Sequence, residues 1–391
     1  MIVGILAILS VLYSFHLGRI FDRNVISSIS RPRSDFKPRV ALIMPCKGME
    51  RGLEKNIEAV LKQDYPSYEV VVITDTAQDP AYSIAKSVFE RNPKAKAELH
   101  VSKHIPSCSG KVAALLTALD STNGRADVYA FIDSDALVAP NWLAELVDPL
   151  SDETIGATTG FRWYFPLTKD FWSHVQSAWN AAGTSLFFDD RYNFPWGGAT
   201  AVRAQTLDKI NIRKAWSNAV SDDMALNLAL RQNGYRIVFL PQCTVATYCQ
   251  NTRSQFFEWA IRQSALTRVF NEDLWKYALA TYGFFDLVFV LGVISVGLGV
   301  YLGLDWFIPA AMFLAPSVLG ILRSSQRCAT FERTLPHLNG EFRKTSLLGA
   351  MVSFTMHWIM TYCIVKSARV RQIEWRGRKY TLKKLSTPAS L

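Results

Sequence analysis

Charge is scarce in this sequence, and cysteine pairs are missing. Charged residues make up 19% of the 391 and apolar residues 49%, which excludes a disordered, collagen-like or acidic-tail chain. The six cysteines (Cys46, Cys108, Cys243, Cys249, Cys328 and Cys363) form no CxxC pair, so neither a zinc ribbon nor a thioredoxin-type site is present. Scattered cysteines in a chain of this length point to free thiols in a reducing compartment. No GxGxxG follows the first expected strand, which leaves a dinucleotide site unsupported. Ser109-Gly110-Lys111 matches only the end of a P-loop: Ile105 stands where its leading Gly belongs, and Val112 where a Ser or Thr would bind magnesium. His104 and His174 are isolated, with no metal-ligand spacing.

What is present divides the chain. The mean hydropathy is +0.09, and its excess sits in the first 20 residues and between about 283 and 366. Residues 1–18 approach the ~20 apolar residues that a bilayer crossing needs. Three further stretches follow at Phe284–Leu304, Trp306–Leu322 and Leu347–Val365; the second carries Pro309 and Pro316, and either spans or is re-entrant. The net charge of +10 gathers beside these stretches: Arg19, Arg23, Arg31, Arg33, Lys37 and Arg39 after the first, and Lys366, Arg369, Arg371, Arg376, Arg378, Lys379, Lys383 and Lys384 after the last. Basic residues after the first apolar run argue for an uncleaved anchor with a cytoplasmic domain behind it. With no RNP-like or zinc-finger pattern, the expected partner of the charge is a membrane surface and not nucleic acid. The expected organisation is an anchor over 1–21, a catalytic domain over 36–275, two or three spans over 283–366 and a basic tail over 367–391, in a multi-pass membrane protein.

The middle segment reads as α/β. Apolar strands are expected at RVALIMP, at YEVVVITD, around Glu98–Ser102 and at DVYAFI. Helical spacing alternates with them at NIEAVLKQ, Ala81–Arg91 and Lys111–Leu119. This βαβαβ alternation implies a parallel sheet covered by helices, with ligands at the carboxyl ends of the strands. Lys47, Asp75, Asp133 and Asp135 all fall there.

Asp133-Ser134-Asp135 places two hard carboxylates at i and i+2 after a buried strand. Such a pair suits Mg²⁺ or Mn²⁺ shared with substrate phosphates; it equally suits a strand-to-helix turn with an Asp cap. Ser221-Asp222-Asp223 precedes the helical MALNLALRQNG, either as a functional acidic pair or as a cap with first-turn acids. Residues 163–196 are rich in aromatics, which fit a core, an interface or the entry of a lipid acceptor. Within them, Trp196-Gly197-Gly198 allows close backbone approach, as an acceptor pocket or as a plain tight turn.

The order of an Asp after the second strand, a DxD, an acidic pair before a helix and a later Arg-bearing helix resembles family 2-type glycosyltransferases of the GT-A fold, a Rossmann-like mixed sheet. The likeness is nearest to ceramide glucosyltransferases and their bacterial relatives. It covers nearly the whole chain, including IMPCKG, QDYPSYEVVV, SGK, DSD, SDD and the closing IEWRGRKYTL. The resemblance implies that Asp75 meets the uracil of a UDP-sugar. It implies that Asp133 faces the ribose and diphosphate with Asp135 as its metal-binding partner, where some eukaryotic ceramide enzymes resemble DSG. Asp223 then matches the catalytic base, and Asp222 stands where relatives often have Glu. The (Q/R)xxRW motif is imperfect. One register sets Trp259 first, Arg262 at the Arg and Gln263 at the Trp, keeping the cation that a departing diphosphate needs; another runs from Gln255 to Trp259, with Glu258 replacing the Arg. Lys111 would add positive charge near the diphosphate, or be an exposed helix residue.

The expected activity is therefore a membrane-bound, inverting transfer of a sugar, most simply glucose from UDP-glucose, to a lipid hydroxyl such as that of ceramide, with Mg²⁺ or Mn²⁺ as cofactor. A processive polysaccharide synthase and a catalytically silent nucleotide-sugar-binding membrane protein are the alternatives.

Overall fold

The computed structural model describes residues 2–30, 33–188 and 193–382. Of the basic residues flanking the apolar stretches, Arg31, Lys383 and Lys384 lie outside these. The chain divides into two compact units, one of Ser27–Trp163 and Leu186–Tyr248, the other of Met1–Ile26, Tyr164–Ser185 and Cys249–Leu391.

The first of these units is built on strands β1 (Val40–Cys46), β2 (Tyr68–Thr74), β3 (Ala97–Val101), β4 (Val128–Ile132) and β5 (Ile155–Thr159). After β6 (Arg162–Pro166), which lies outside the main sheet, β7 (Ala199–Arg203) and β8 (Arg236–Phe239) complete it. The sheet order is β3-β2-β1-β4-β7-β5-β8. The first four strands are parallel, as the alternation of strands and helices predicts. The parallel reading stops at β7, which runs antiparallel to both β4 and β5. It follows β6 by way of the helix Phe171–Gly183 and enters the sheet between β4 and β5. The sheet is therefore mixed.

Burial on both faces explains the apolar runs. Ala41, Leu42, Ile43 and Met44 of β1 are wholly buried, as are Val71, Val72 and Ile73 of β2. Each such side chain contributes about 1.5–3 kcal/mol by leaving water. One face of the helix Leu53–Leu61 buries Leu53, Ile57, Val60 and Leu61. The helix Gly110–Ser121 begins at Ser109, whose hydroxyl accepts a hydrogen bond from the Val112 amide, and its apolar residues pin it to the sheet. None of the six cysteines is in a disulfide, and five are buried.

The other unit is helical. It holds Phe171–Gly183, Arg253–Phe270, Glu272–Leu302, Phe307–Thr334, Asn339–Val352 and Met356–Ser367, then a hairpin of Gln372–Trp375 and Arg378–Thr381. The chain starts with the helix Ile2–Ile29. Among the described residues one helix is long and apolar enough to cross a membrane, Glu272–Leu302, and only 11% of its apolar window is buried. It takes in the expected stretch Phe284–Leu304 up to Leu302, where Gly303 ends it, and starts a dozen residues earlier. Trp306–Leu322 lies in a helix that continues through Arg323 and Arg327 to Thr334. The expected stretch Leu347–Val365 is not one helix: a 3₁₀ turn at Ser353–Thr355 divides it.

Candidate active site

The site is assembled at the carboxyl ends of β2 and β4. After β2, the Asp75 carboxylate lies 3.0 Å from the Lys47 ammonium, which follows β1. After β4, the chain turns through Asp133, Ser134 and Asp135, and the Asn56 side chain donates to the Ser134 carbonyl at 2.9 Å. The Asp135 carbonyl accepts from the Thr247 hydroxyl at 3.1 Å. These bonds fix the turn from both sides, so the two carboxylates are held rather than free to splay.

Two cations occupy the centre of the site. Lys111, in the first turn of its helix, places Nζ 2.8 Å from Asp133 Oδ1 and 3.0 Å from Asp222 Oδ2. It is therefore no exposed helix residue. Arg162, which opens β6, places Nη2 2.7 Å from Asp133 Oδ2 and 2.8 Å from Asp135 Oδ1. Its Nη1 donates to Asp135 Oδ2 at 3.0 Å. The guanidinium also lies 4.9 Å from the centre of the Trp196 ring, within cation–π range. Arg162 was not singled out in the sequence. A lone Arg at the start of the aromatic run RWYFP was the available signal, since an isolated charge beside a buried strand needs a partner.

Asp222 and Asp223 form the first turn of the helix Asp222–Gln232. They are neighbours in sequence but not in environment. Asp222 is 5% exposed and is held by Lys111, while its carbonyl accepts from the Trp216 indole at 3.0 Å. Asp223 is half-buried; its carboxylate accepts from the Ser221 hydroxyl and from the Met224 amide. Burial, with Asp223 and Asp133 nearby and Lys111 opposing, pushes the Asp222 carboxyl up to about 6. For Lys111, burial alone would lower the pKa, but the facing Asp133, Asp222 and Asp223 outweigh it and raise it. The cation gains from every neighbouring acid, whereas at Asp222 the cost of burial outweighs the one ammonium it shares.

Gly197 and Gly198 have a steric reason to be glycine. A Cβ at Gly197 would stand 2.2 Å from Asp222 Oδ2 and 3.0 Å from Lys111 Nζ. A Cβ at Gly198 would stand 2.3 Å from the Trp196 ring and 2.7 Å from Asp133 Oδ2. The Gly197 carbonyl also accepts from Lys111 at 3.3 Å. The Trp196-Gly197-Gly198 loop thus closes onto the charged residues and is more than a plain turn.

Asp133, Asp135, Asp222, Asp223, Lys111, Trp196, Gly197 and Gly198 are brought together with Arg162. Trp259, Arg262 and Gln263 belong to the helical unit, on Arg253–Phe270. There Trp259 packs edge-on against Tyr164 and Trp179, at ring-centre distances of 5.7 and 4.8 Å. Arg262 lies 5.9 Å from the Trp375 ring, and burial lowers its pKa. The aromatic-rich segment is largely packing: Trp163, Tyr164 and Phe165 are buried, and Trp172 stacks on Phe256.

The donor set fits a divalent ion. Among the described residues no three His, Cys, Asp or Glu converge as a ready metal cage. Asp133 and Asp135 nevertheless converge on one guanidinium, and Mg²⁺ is usually held by one or two carboxylates completed by substrate phosphates. Four carboxylates (Asp133, Asp135, Asp222 and Asp223) face two cations here, an excess of two negative charges.

The chain is similar to several known proteins. A ceramide glucosyltransferase of Komagataella phaffii is 27% identical over 116 residues, 29% of this chain and 22% of that one. A beta-monoglucosyldiacylglycerol synthase of Trichormus variabilis is 25% identical over 242 residues, 60% of this chain and 49% of the relative. The matches therefore span about half or less of these relatives' lengths. A mannosyltransferase from Pyrobaculum calidifontis, solved with GDP-Man and Mn²⁺, is 18% identical and superposes with a TM-score of 0.48 over 94% of this chain and 99% of its own. The family model of Glycosyl transferase family 21 matches residues 1–387. The chain belongs to that family.

Proposed function

We propose that this chain is a membrane-bound glycosyltransferase and moves a sugar, glucose from UDP-glucose, to a lipid hydroxyl with inversion at the anomeric carbon. The observation that carries the reading is the cluster around Lys111 and Arg162: carboxylates in excess, cations positioned beside them, and a glycine loop pressed against both. That arrangement suits a diphosphate leaving group. The lipid acceptor follows from the two glucosyltransferase relatives, whose names specify ceramide and diacylglycerol, and from the exposed apolar helix Glu272–Leu302.

In this mechanism Asp75 holds the nucleotide base, and Lys111 with Asp133 orients the diphosphate. Asp133 and Asp135 would hold Mg²⁺ or Mn²⁺, which when bound supplies Lewis-acid charge against the leaving group. Asp223 takes the proton from the acceptor hydroxyl as the hydroxyl oxygen attacks. Its half-exposed carboxylate is open to an incoming alcohol in a way that the ion-paired Asp222 is not. General-base catalysis of this kind is typically worth 10²–10⁴-fold. Lys111 anchors Asp222 and keeps positive charge where the departing phosphate becomes more negative. Trp259, Arg262 and Gln263, on the helix Arg253–Phe270 of the helical unit, are given no step in this mechanism; Trp196, Gly197 and Gly198 would border the acceptor.

A second reading has its own support: hyaluronan synthase of Streptococcus pyogenes is 28% identical over 124 residues. Membranes supplied with radiolabelled UDP-glucose, followed by lipid extraction, separate the two. Label in a small lipid is expected. Label in a polymer favours the second reading, and UDP binding without turnover overturns both.

A further inference from the structure

We propose that Arg162 is a built-in stand-in for the divalent cation, so that Asp133 and Asp135 accept the metal only together with the nucleotide diphosphate. The inference rests on the metal role given to those two residues above. The geometry that carries it is an oxygen-by-oxygen account of the Asp133–Asp135 pair. Lys111 Nζ lies on Asp133 Oδ1 at 2.8 Å. Arg162 Nη2 takes Asp133 Oδ2 at 2.7 Å and Asp135 Oδ1 at 2.8 Å. Arg162 Nη1 takes Asp135 Oδ2 at 3.0 Å. All four carboxylate oxygens thus carry a cationic donor, and three of the four belong to one guanidinium. A metal ion that ligates both carboxylates must use oxygens that the fork already engages and must lie beside its positive charge.

The fork is held against withdrawal. Its side chain is 12% exposed, it cannot lose its proton near neutral pH, and the Trp196 ring supports its face. A metal ion arriving alone would leave this cation stranded beside it, with like charges close together in a partly buried site. A diphosphate changes the balance, because a guanidinium matches phosphate oxygens in the same two-pronged way that it matches carboxylate. Ion and nucleotide then each favour the binding of the other, by the same factor.

The test measures binding, not turnover. Full-length protein in detergent is titrated with Mn²⁺ while the signal of the free ion is followed by electron paramagnetic resonance, with and without UDP. In wild type, UDP should tighten Mn²⁺ binding by about tenfold or more. Arg162→Gln should bind Mn²⁺ without UDP about tenfold more tightly than wild type, and the enhancement by UDP should shrink. Arg162→Lys keeps the charge but not the fork and should fall between them; it also carries the test if Arg162→Gln does not fold, as judged by thermal melting. Folded Arg162 variants that bind the ion no more tightly than wild type overturn the proposal. If Mn²⁺ binds neither wild type nor variants even with UDP, the metal role of Asp133 and Asp135 fails, and this proposal with it.

Discussion

The carboxyl ends of β2 and β4 belong to one sheet, and each carries a Lys–Asp pair, yet they are built for different degrees of coupling. The Asp75–Lys47 pair is partly open to water, with side chains 21% and 34% exposed. At β4, Lys111 and Asp222 are 14% and 7% exposed, and Lys111, Arg162, Asp133, Asp135 and Asp222 each touch at least one other charge. In the open pair, solvent can replace a lost partner, so its removal costs little. In the closed cluster, removing one partner leaves another charge buried without compensation. In the proposed mechanism the open pair recognises the nucleotide and the closed cluster reacts.

Three outcomes would sharpen or break this contrast, in descending size of effect. Excess EDTA should abolish glycosyl transfer, because the proposed mechanism sets a divalent ion at the Asp133–Asp135 end; full turnover in EDTA, measured as labelled lipid, would remove the metal from that end. Asp75→Asn should raise the KM for UDP-glucose by roughly tenfold, the value of one hydrogen bond to a charged group, with kcat almost unchanged. A collapse of kcat in that variant would make the open end part of the reacting centre. The smallest effect concerns pH. Asp222 titrates near 6 in the folded chain, above the ~3.9 of an unfolded aspartate. Its protonation therefore stabilises the fold: the contribution is complete below about pH 4 and is lost as pH rises through 6. The melting temperature of wild type relative to Asp222→Asn should accordingly increase as pH falls from 7.5 to 5. A flat difference would mean that Asp222 is not the buried, over-subscribed acid described here.

Much of the β2 and β4 architecture is legible in the sequence. β-Branched runs ending in Asp75 and Asp133, with helical spacing between them, fix parallel strands with polar residues at one edge. Lys111 was readable as a cation near phosphate only through the resemblance, which includes the SGK segment; its residue pattern alone left an exposed helix position open. Three features were hidden for physical reasons. Arg162 finds its partners 27 and 29 residues away in sequence, and no local pattern encodes a contact of that range. The antiparallel course of β7 depends on which neighbour it meets, and Ala199–Arg203 alone does not carry that information. Leu347–Val365 is apolar enough for one span, but apolarity does not register the 3₁₀ turn at Ser353–Thr355. The glycines at 197 and 198 were recognisable as a close approach, though the groups approached, Asp222 and Asp133, emerge only in three dimensions.

The central claim is that Asp223, rather than its buried neighbour, is the base. Its direct test compares Asp223→Asn with Asp222→Asn for both UDP affinity and single-turnover transfer to lipid. Asp223→Asn keeps the size of the side chain and removes the basic oxygen. It should bind UDP nearly as wild type does and lose two or more orders of magnitude in kcat, as expected for removal of a general base. Asp222→Asn should lose less. An Asp223→Asn enzyme that transfers sugar at near wild-type rate, beside an inactive Asp222→Asn, would contradict the account and move the base to Asp222.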